Sequence, residues 1–290
     1  MAEPYGHAMT TRASMTDLQG ATALLTGATG GLGPAVARAL ASNGVRLAIS
    51  GRREDVLVDL AAELRAAGAH DPAPVPADLC DPRTAETLIE RAEAAVGPLD
   101  ILVHNAAVDA CAAFERLTAE ELEAVVAVNL VAPLELTRRA VGGMLERGRG
   151  HVVFVSSLSG FAGTAFQAPY AATKGALNAL SRSLRAEYAD RPIGCSLVAP
   201  GSVAGQGIFA RGQADGIQVP RALRLTSADA VGRAVVEAIE TDAPEILVYP
   251  GPIKPTLVLS AVAPRLFERL NERLGLATLF RPAAEARGRV

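Results

Sequence analysis

The chain has 290 residues, half of them hydrophobic and 20% charged, with a formal net charge of -3. That length holds one large domain or two small ones with ample core, while near-neutral charge, 4% aromatic content and the lack of Trp argue against a nucleic-acid surface. Cys80, Cys111 and Cys195 lack C-x-x-C spacing and His7, His70, His104 and His151 are scattered, which points to a reducing, cytoplasmic setting and no metal site.

Residues 1–20, "MAEPYGHAMTTRASMTDLQG", contain no apolar segment of the kind a secretory signal needs and read as a loose tail. From residue 21 a regular alternation begins. "ATALLT" (21–26) reads as an apolar strand, followed by a Gly-rich turn and the helix "GPAVARALASNG" with Pro34 in its first turn. "VRLAIS" (45–50) is a strand and "EDVLVDLAAELRAAG" an amphipathic helix closed by Gly68. The strand "APVPADL", the helix "PRTAETLIERAEAAVG" and the strand "LDILVHN" follow. A long helical region spans about 118–147, then come the strand "HVVFVSS", a helix over 168–190, the strand "IGCSLVAPG", a helix over 226–240 and the strand "EILVYP". No run approaches the roughly 18 apolar residues of a membrane span. Strands that alternate with helices and are apolar throughout predict an α/β fold, a doubly wound parallel sheet covered on both faces in one domain.

Two short stretches carry chemistry. "TGATGGLG" (26–33) joins the first strand to the first helix; Gly27, Gly31 and Gly33 let backbone approach a ligand closely, and the helix start offers free N–H groups and a positive dipole end. That arrangement suits a pyrophosphate. No Gly-Lys-Ser/Thr follows, so it is not a nucleoside-triphosphate loop. "YAATK" (170–174) stacks Tyr170 and Lys174 one helical turn apart. An isolated Y-x-x-x-K is ordinarily a surface pair, and the residues alone leave that reading open. In "GRRED" (51–55) the second strand ends without an acidic residue and Arg52 follows, a guanidinium suited to a 2′-phosphate; a solvated arginine at a helix entry is the alternative.

Taken in order, these motifs resemble the short-chain dehydrogenase/reductase family in its single-domain branch, over roughly residues 20–250. "TGATGGLG" is similar to that family's T-G-x-x-x-G-x-G. "ADLCD" resembles its adenine-contacting segment, with Asp78 and Leu79. "HNAA" stands where the family commonly has N-N-A-G, keeping Asn105 and Ala106 but departing at His104 and Ala107. "VNL" supplies Asn129, "SSLSG" supplies Ser157, and "APGSV" resembles its Pro-Gly motif, with Pro200, Gly201 and Val203. The resemblance implies a Rossmann-like fold and an NAD(P)-dependent oxidoreductase in which Asn129, Ser157, Tyr170 and Lys174 are catalytic. It also implies that Gly27, Thr29, Gly31, Leu32, Gly33, Arg52, Asp78, Leu79, Asn105, Ala106, Tyr170, Lys174, Pro200, Gly201 and Val203 hold the cofactor, expected to be NADP(H) rather than NAD(H). Asn129 is implied to hold a water between Lys174 and solvent. Two groups ~5 Å apart at an effective dielectric of ~20 interact by about 3 kcal/mol, so Lys174 is expected to bring the Tyr170 phenol from ~10 to ~8.

The chain departs from the pattern at Gly205, where relatives often carry a threonine, and "AGQGIFARGQADG" reads as a flexible lid. Residues 251–290 extend past the shared core; Leu266, Phe267, Leu270 and Leu274 share one helical face, which predicts packing on the domain or on a partner subunit, with a membrane-surface helix as the lesser alternative. The final "PAAEARGRV" reads as loose. "LSGFAGTAFQAP", Ile208 and Phe209 predict an apolar pocket for a ketone or secondary alcohol. The family implies a homodimer or homotetramer. A non-redox or cofactor-cycling reaction, or a non-catalytic nucleotide-binding regulator, is the competing reading.

Overall fold

Side chains alternate across each strand, and this alternation decides the architecture. In β1 (Thr22–Leu25) Ala23 and Leu25 pack into one apolar layer and Leu24 into the other, with none of the three exposed. A strand buried on both faces needs helices on both sides. The computed structural model describes residues 16–290 and supplies them.

The first half runs through α1 (Gly33–Ser42), β2 (Arg46–Gly51), α2 (Glu54–Ala66), β3 (Ala73–Pro76) and α3 (Pro82–Val96). Then come β4 (Ile101–His104), α4 (Ala119–Val126), a π-helical turn over Ala127–Val131 and α5 (Ala132–Arg147). They are followed by β5 (Gly150–Val155), the short α6 (Ser159–Ala162), α7 (Ala168–Glu187) and β6 (Ile193–Pro200). The chain ends with α8 (Gly207–Ala214), α9 (Ala228–Glu240), β7 (Glu245–Val248), α10 (Lys254–Val262), α11 (Pro264–Arg273) and α12 (Arg281–Ala286).

All seven strands are parallel, in the order β3-β2-β1-β4-β5-β6-β7. This is the doubly wound sheet that the sequence pattern predicts. The first three strands step outward from β1; the chain then returns to lay β4 on its other side and steps outward again. At that reversal the connections leave β1 and β4 in opposite directions, so a crevice opens at their carboxyl ends. Helices α1, α2 and α9 cover one face, and α3, α5 and α7 the other.

Local signals set the helix ends. Asp81 caps α3 by accepting from Arg83 N at 3.0 Å, with Pro82 in the first turn. Thr118 and Glu121 form a reciprocal capping box on α4. Gly148 closes α5 in the left-handed region. The predicted helix over 118–147 is therefore two helices joined by the π turn that carries Asn129.

Both chain ends correct the sequence reading. Most of the expected tail lies outside the described residues, but Leu18 is buried and Gly20 N donates to Gly44 O at 3.0 Å, so residues 16–20 belong to the body. The C-terminal stretch expected to be loose forms α12. Ala283 and Ala284 are fully buried, Arg287 pairs with Asp215, and Arg289 with Glu121. On α11, Leu266 is 56% exposed and Leu270 and Leu274 more than a third; only Phe267 of the expected apolar face turns inward, toward the central cleft.

The α1–α9 contact is close enough to test. A Cβ at Gly232 would sit 2.7 Å from the Ala35 carbonyl and 3.0 Å from Ala39 Cβ. Gly232→Ala is expected to cost about 1–3 kcal/mol, as overpacking does, read as a lower urea midpoint with an unchanged slope.

Candidate active site

The Gly-rich turn leaves β1 at the crevice. Gly27 takes φ +67°, and a Cβ there would lie 2.5 Å from Ala106 Cα, so the turn lies directly against the chain that leaves β4. At Gly33 a Cβ would meet the Gly27 carbonyl at 2.3 Å. Gly33 therefore lets α1 begin against the turn, and it does not line the cleft. No side chain caps α1, whose N-cap is Leu32; Gly33 N donates to Gly30 O at 2.8 Å and Pro34 has no N–H, so what the helix start offers an anion is the positive end of its dipole.

Asn105 holds this junction together. Its Nδ2 donates to the carbonyls of Thr26 and Gly27, both at 3.0 Å, while the amides of Asn105 and Ala106 donate to Thr26 Oγ1. Its side chain thus braces the turn. His104, where the chain departs from the family pattern, stacks on Phe154 with ring centroids 5.0 Å apart and lies 2.8 Å from Thr137 Oγ1. Burial, then the Lys174 charge, hold its pKa down at about 3, so it is a neutral packing group.

The end of β5 and the face of α7 form the floor of the site. Ser156 Oγ donates to the Lys174 carbonyl at 3.1 Å and lies 2.6 Å from Asn178 Oδ1, fastening strand to helix. Next to it Ser157 lies beside Tyr170, one turn before Lys174 on α7, and its Oγ accepts from Ser159 N at 3.1 Å. Lys174 is 2% exposed and its Nζ donates to the Val155 carbonyl at 2.8 Å.

The expected coupling between Tyr170 and Lys174 runs the other way in the ligand-free protein. Burial pushes the phenol above its ordinary value, opposed by the neighbouring Ser157 hydroxyl and reinforced by Asp109. Burial also lowers Lys174 to about 8. The ammonium sits 5.6 Å from the Tyr170 ring centroid, directed at a carbonyl, and desolvation of both groups outweighs their attraction. The phenol holds its proton firmly near neutral pH.

The Asn129 side chain is committed to the protein. Its Oδ1 accepts from Val108 N at 2.8 Å, and its Nδ2 donates to Val108 O at 2.9 Å and Thr173 Oγ1 at 3.2 Å. With both amide hydrogens spent, the side chain clamps the Val108 backbone to α7.

These groups line one cleft of about 1500 Å³ over the carboxyl ends of the strands. Around its nucleotide half lie Gly27, Thr29, Gly31, Leu32, Arg52, Asp78, Leu79, Asn105 and Ala106; Ser157, Tyr170, Lys174, Pro200, Gly201 and Val203 complete the floor. Of the predicted site residues, Gly33 and Asn129 stay outside the lining and act through packing and hydrogen bonds. The segment read as a flexible lid contains α8, whose Phe209 is buried edge-on against Phe280, ring centroids 6.2 Å apart.

Arg53, next to Arg52 in the same stretch, donates to the Thr29 carbonyl at 2.5 Å. Sequence reasoning missed two features of the lining. Asp109 accepts from the buried Gln167 at 2.6 Å beside Tyr170, and burial raises its carboxyl. Ile253, Leu257 and Phe267 enter from the C-terminal extension. Neither Asp109 nor Gln167 belongs to a legible motif; only the fold brings them together.

The sequence model of the short chain dehydrogenase family matches residues 21–212. Ketoacyl reductase HetN of Nostoc sp. is 31% identical over 278 residues, 94% of this chain and 96% of its own. A short-chain dehydrogenase/reductase from Burkholderia phymatum, solved in complex with NAD, has a TM-score of 0.76 and 26% identity over 87% of this chain and 96% of its own. A metagenomic short-chain oxidoreductase, solved in complex with NADP, has a TM-score of 0.69 and 31% identity over 82% of this chain and 100% of its own.

Buried Lys174 gives a stability test with a definite sign. Its folded value of about 8 lies below its ordinary 10.5. Between the two the unfolded chain binds the extra proton, so stability rises with pH; below the folded value the burial cost is complete. Lys174→Met should be more stable than the parent by about 1–3 kcal/mol near neutrality. That gap should narrow as urea titrations move from about pH 7 to about pH 10.

Proposed function

The chain belongs to the short-chain dehydrogenase/reductase family and is an NAD(P)-dependent oxidoreductase, and from that premise we propose that it reduces a mainly apolar ketone, or oxidises the matching secondary alcohol, with Tyr170 as the proton-transfer group. The observation that carries this reading is the meeting of Ser157, Tyr170 and Lys174 on the floor of a cleft whose other half is the Gly-rich turn.

The nicotinamide cofactor supplies or accepts the hydride when bound. The residues present fit such a group: the glycine cradle against Ala106 and the uncapped start of α1 accommodate a pyrophosphate. Gly27, Thr29, Gly31 and Leu32 would hold it there, Asp78 and Leu79 the adenine, and Pro200, Gly201 and Val203 the nicotinamide end, with Gly33, Asn105 and Ala106 shaping the cradle. Ser157 would donate a hydrogen bond to the substrate oxygen as charge develops on it. Tyr170 would give that oxygen its proton. Lys174 would steady the phenolate left behind, and Asn129 would keep α7 in register with the Val108 backbone.

The cofactor reading is NADP(H) over NAD(H). Any side chain at Gly51 would place its Cβ 2.8 Å from Thr29 Oγ1, so a strand-end carboxylate to meet a ribose hydroxyl has no room. Arg52 follows, exposed at the edge of the cleft and, among the described residues, without a hydrogen-bond partner. Leu158, Ile208, Phe209 and Leu223 give the substrate half its apolar character. Val126, Val131 and Leu134 are more than a third exposed along α4 to α5, which supports a homodimer or homotetramer built on those helices.

Tyr170→Phe should lower kcat by about a hundredfold or more and leave cofactor affinity, measured by fluorescence titration, nearly unchanged. Retention of most activity would remove Tyr170 from the proposed role. The parent should prefer NADPH in kcat/KM, and Arg52→Ala should reduce that preference about ten- to hundredfold, as loss of a charged hydrogen bond of roughly 1.5–3 kcal/mol requires. A parent that prefers NADH would contradict the assignment.

A further inference from the structure

At about 1500 Å³ the cleft exceeds the roughly 300–1000 Å³ of a site for one small ligand, so it has room beyond a dinucleotide. The extra space lies toward the C-terminal helices, outside the residues matched by the family model. Ile253 and Leu257 face it from one side of α10, at helical spacing; Phe267 faces it from α11, and Leu276 and Leu279 from the segment after it. Phe209 and Leu223 form the opposite wall.

The charged groups of this region lie at its edge, and its half-buried polar side chains are Thr256 and Asn271. Glu268, Glu272 and Arg211 line the cleft yet are exposed, which places them at its mouth. Arg287 is held by Asp215 through two donors, at 3.0 and 2.5 Å. The wall is firmly attached, because Phe280 packs on Phe209 and Ala283 and Ala284 are fully buried beneath α8. Leucine, isoleucine and phenylalanine walls exert a non-directional attraction that grows with the apolar area removed from water. That is the recognition chemistry of a flexible hydrocarbon chain.

We propose that the C-terminal extension builds a chain-binding site, and that the ketone carries an unbranched acyl or alkyl chain running from Tyr170 beneath α10 and α11. The proposal rests on the reading of Tyr170 as proton donor to a ketone. In that reaction the hydride from the reduced cofactor forms the new C–H bond, and Tyr170 supplies the proton of the new hydroxyl.

The test follows NADPH oxidation by the full chain with methyl ketones from butanone to tridecanone. kcat/KM should climb about fourfold per added methylene, the factor that corresponds to ~0.8 kcal/mol per buried CH₂, and level off once the chamber is full. Leu257→Asp and Phe267→Ser should flatten that slope; Leu266→Ser, on the outer face of α11, should preserve it. Dodecanol, which is not a ketone, should raise the melting temperature of the NADP-loaded parent but not of Leu257→Asp. A flat series with butanone turned over would overturn the chain site and leave the Tyr170 reading standing. Absence of turnover with every ketone would overturn the Tyr170 reading. The dodecanol shift would then decide the chamber by itself: a shift lost in Leu257→Asp supports it, and no shift with the parent overturns it. Should the inner-wall variants fail to fold, the parent's slope and its dodecanol shift still decide between a chain site and none.

Discussion

The rest of the site depends on the contact between Gly27 and Ala106. The strand order reverses between β1 and β4, and the chains that leave them must diverge there without a gap. Gly27, with no side chain, lets its turn lie against Ala106, and Asn105 ties the two with hydrogen bonds to Thr26 and Gly27. One junction thus closes the sheet and shapes the cradle. Unmet backbone groups there would be costly in a buried setting. A structural residue such as Asn105 can therefore stand in a site motif with its side chain committed to the protein.

Much of this was legible along the chain because the signals are local. Every predicted strand is present, and each predicted helix begins or ends within a few residues of its observed bounds. Apolar runs buried on both faces and caps such as Asp81, Thr118 and Gly148 depend on neighbours in sequence. The site motifs were legible for a similar reason: Thr26–Gly33 and Tyr170–Lys174 each lie on a single turn or helix, so spacing translates directly into geometry. What was hidden depends on tertiary contacts. Asp109 meets Gln167 across 58 residues, and Cys111 meets the Phe280 carbonyl across 169. The order of residues 281–286 comes from burial against α8, which no local pattern encodes. Leu266, Leu270 and Leu274 have the period of a packed helix and are nonetheless exposed, since periodicity says that a face is apolar and not what covers it.

Two features join the lid and the extension into one unit. The Gly-rich segment after β6 folds as α8 because Phe209 finds Phe280. The end of the chain stays in place because Arg287 reaches Asp215 and Ala113 N donates to Arg289 O at 2.9 Å. The segment carrying α8 is thus packed on α12 rather than standing as an independent loop.

The electrostatics of the floor show why two groups considered as an isolated pair mislead there. Treated alone, an ammonium ~5 Å from a phenol stabilises the phenolate by about 3 kcal/mol. Within the protein both groups are removed from water, and that raises the phenol and lowers the amine together. Lys174 spends a donor on the Val155 carbonyl, at the strand end that also presents Ser156 and Ser157. Its first effect is thus to hold β5 and α7 in register, so that Ser157 and Tyr170 lie side by side. In the proposed reaction such a floor would keep the proton on Tyr170 until negative charge develops beside it. Ser157 and the ammonium would then stabilise charge on the substrate oxygen and the phenolate, and stabilisation absent from the ground state is the kind that accelerates a reaction.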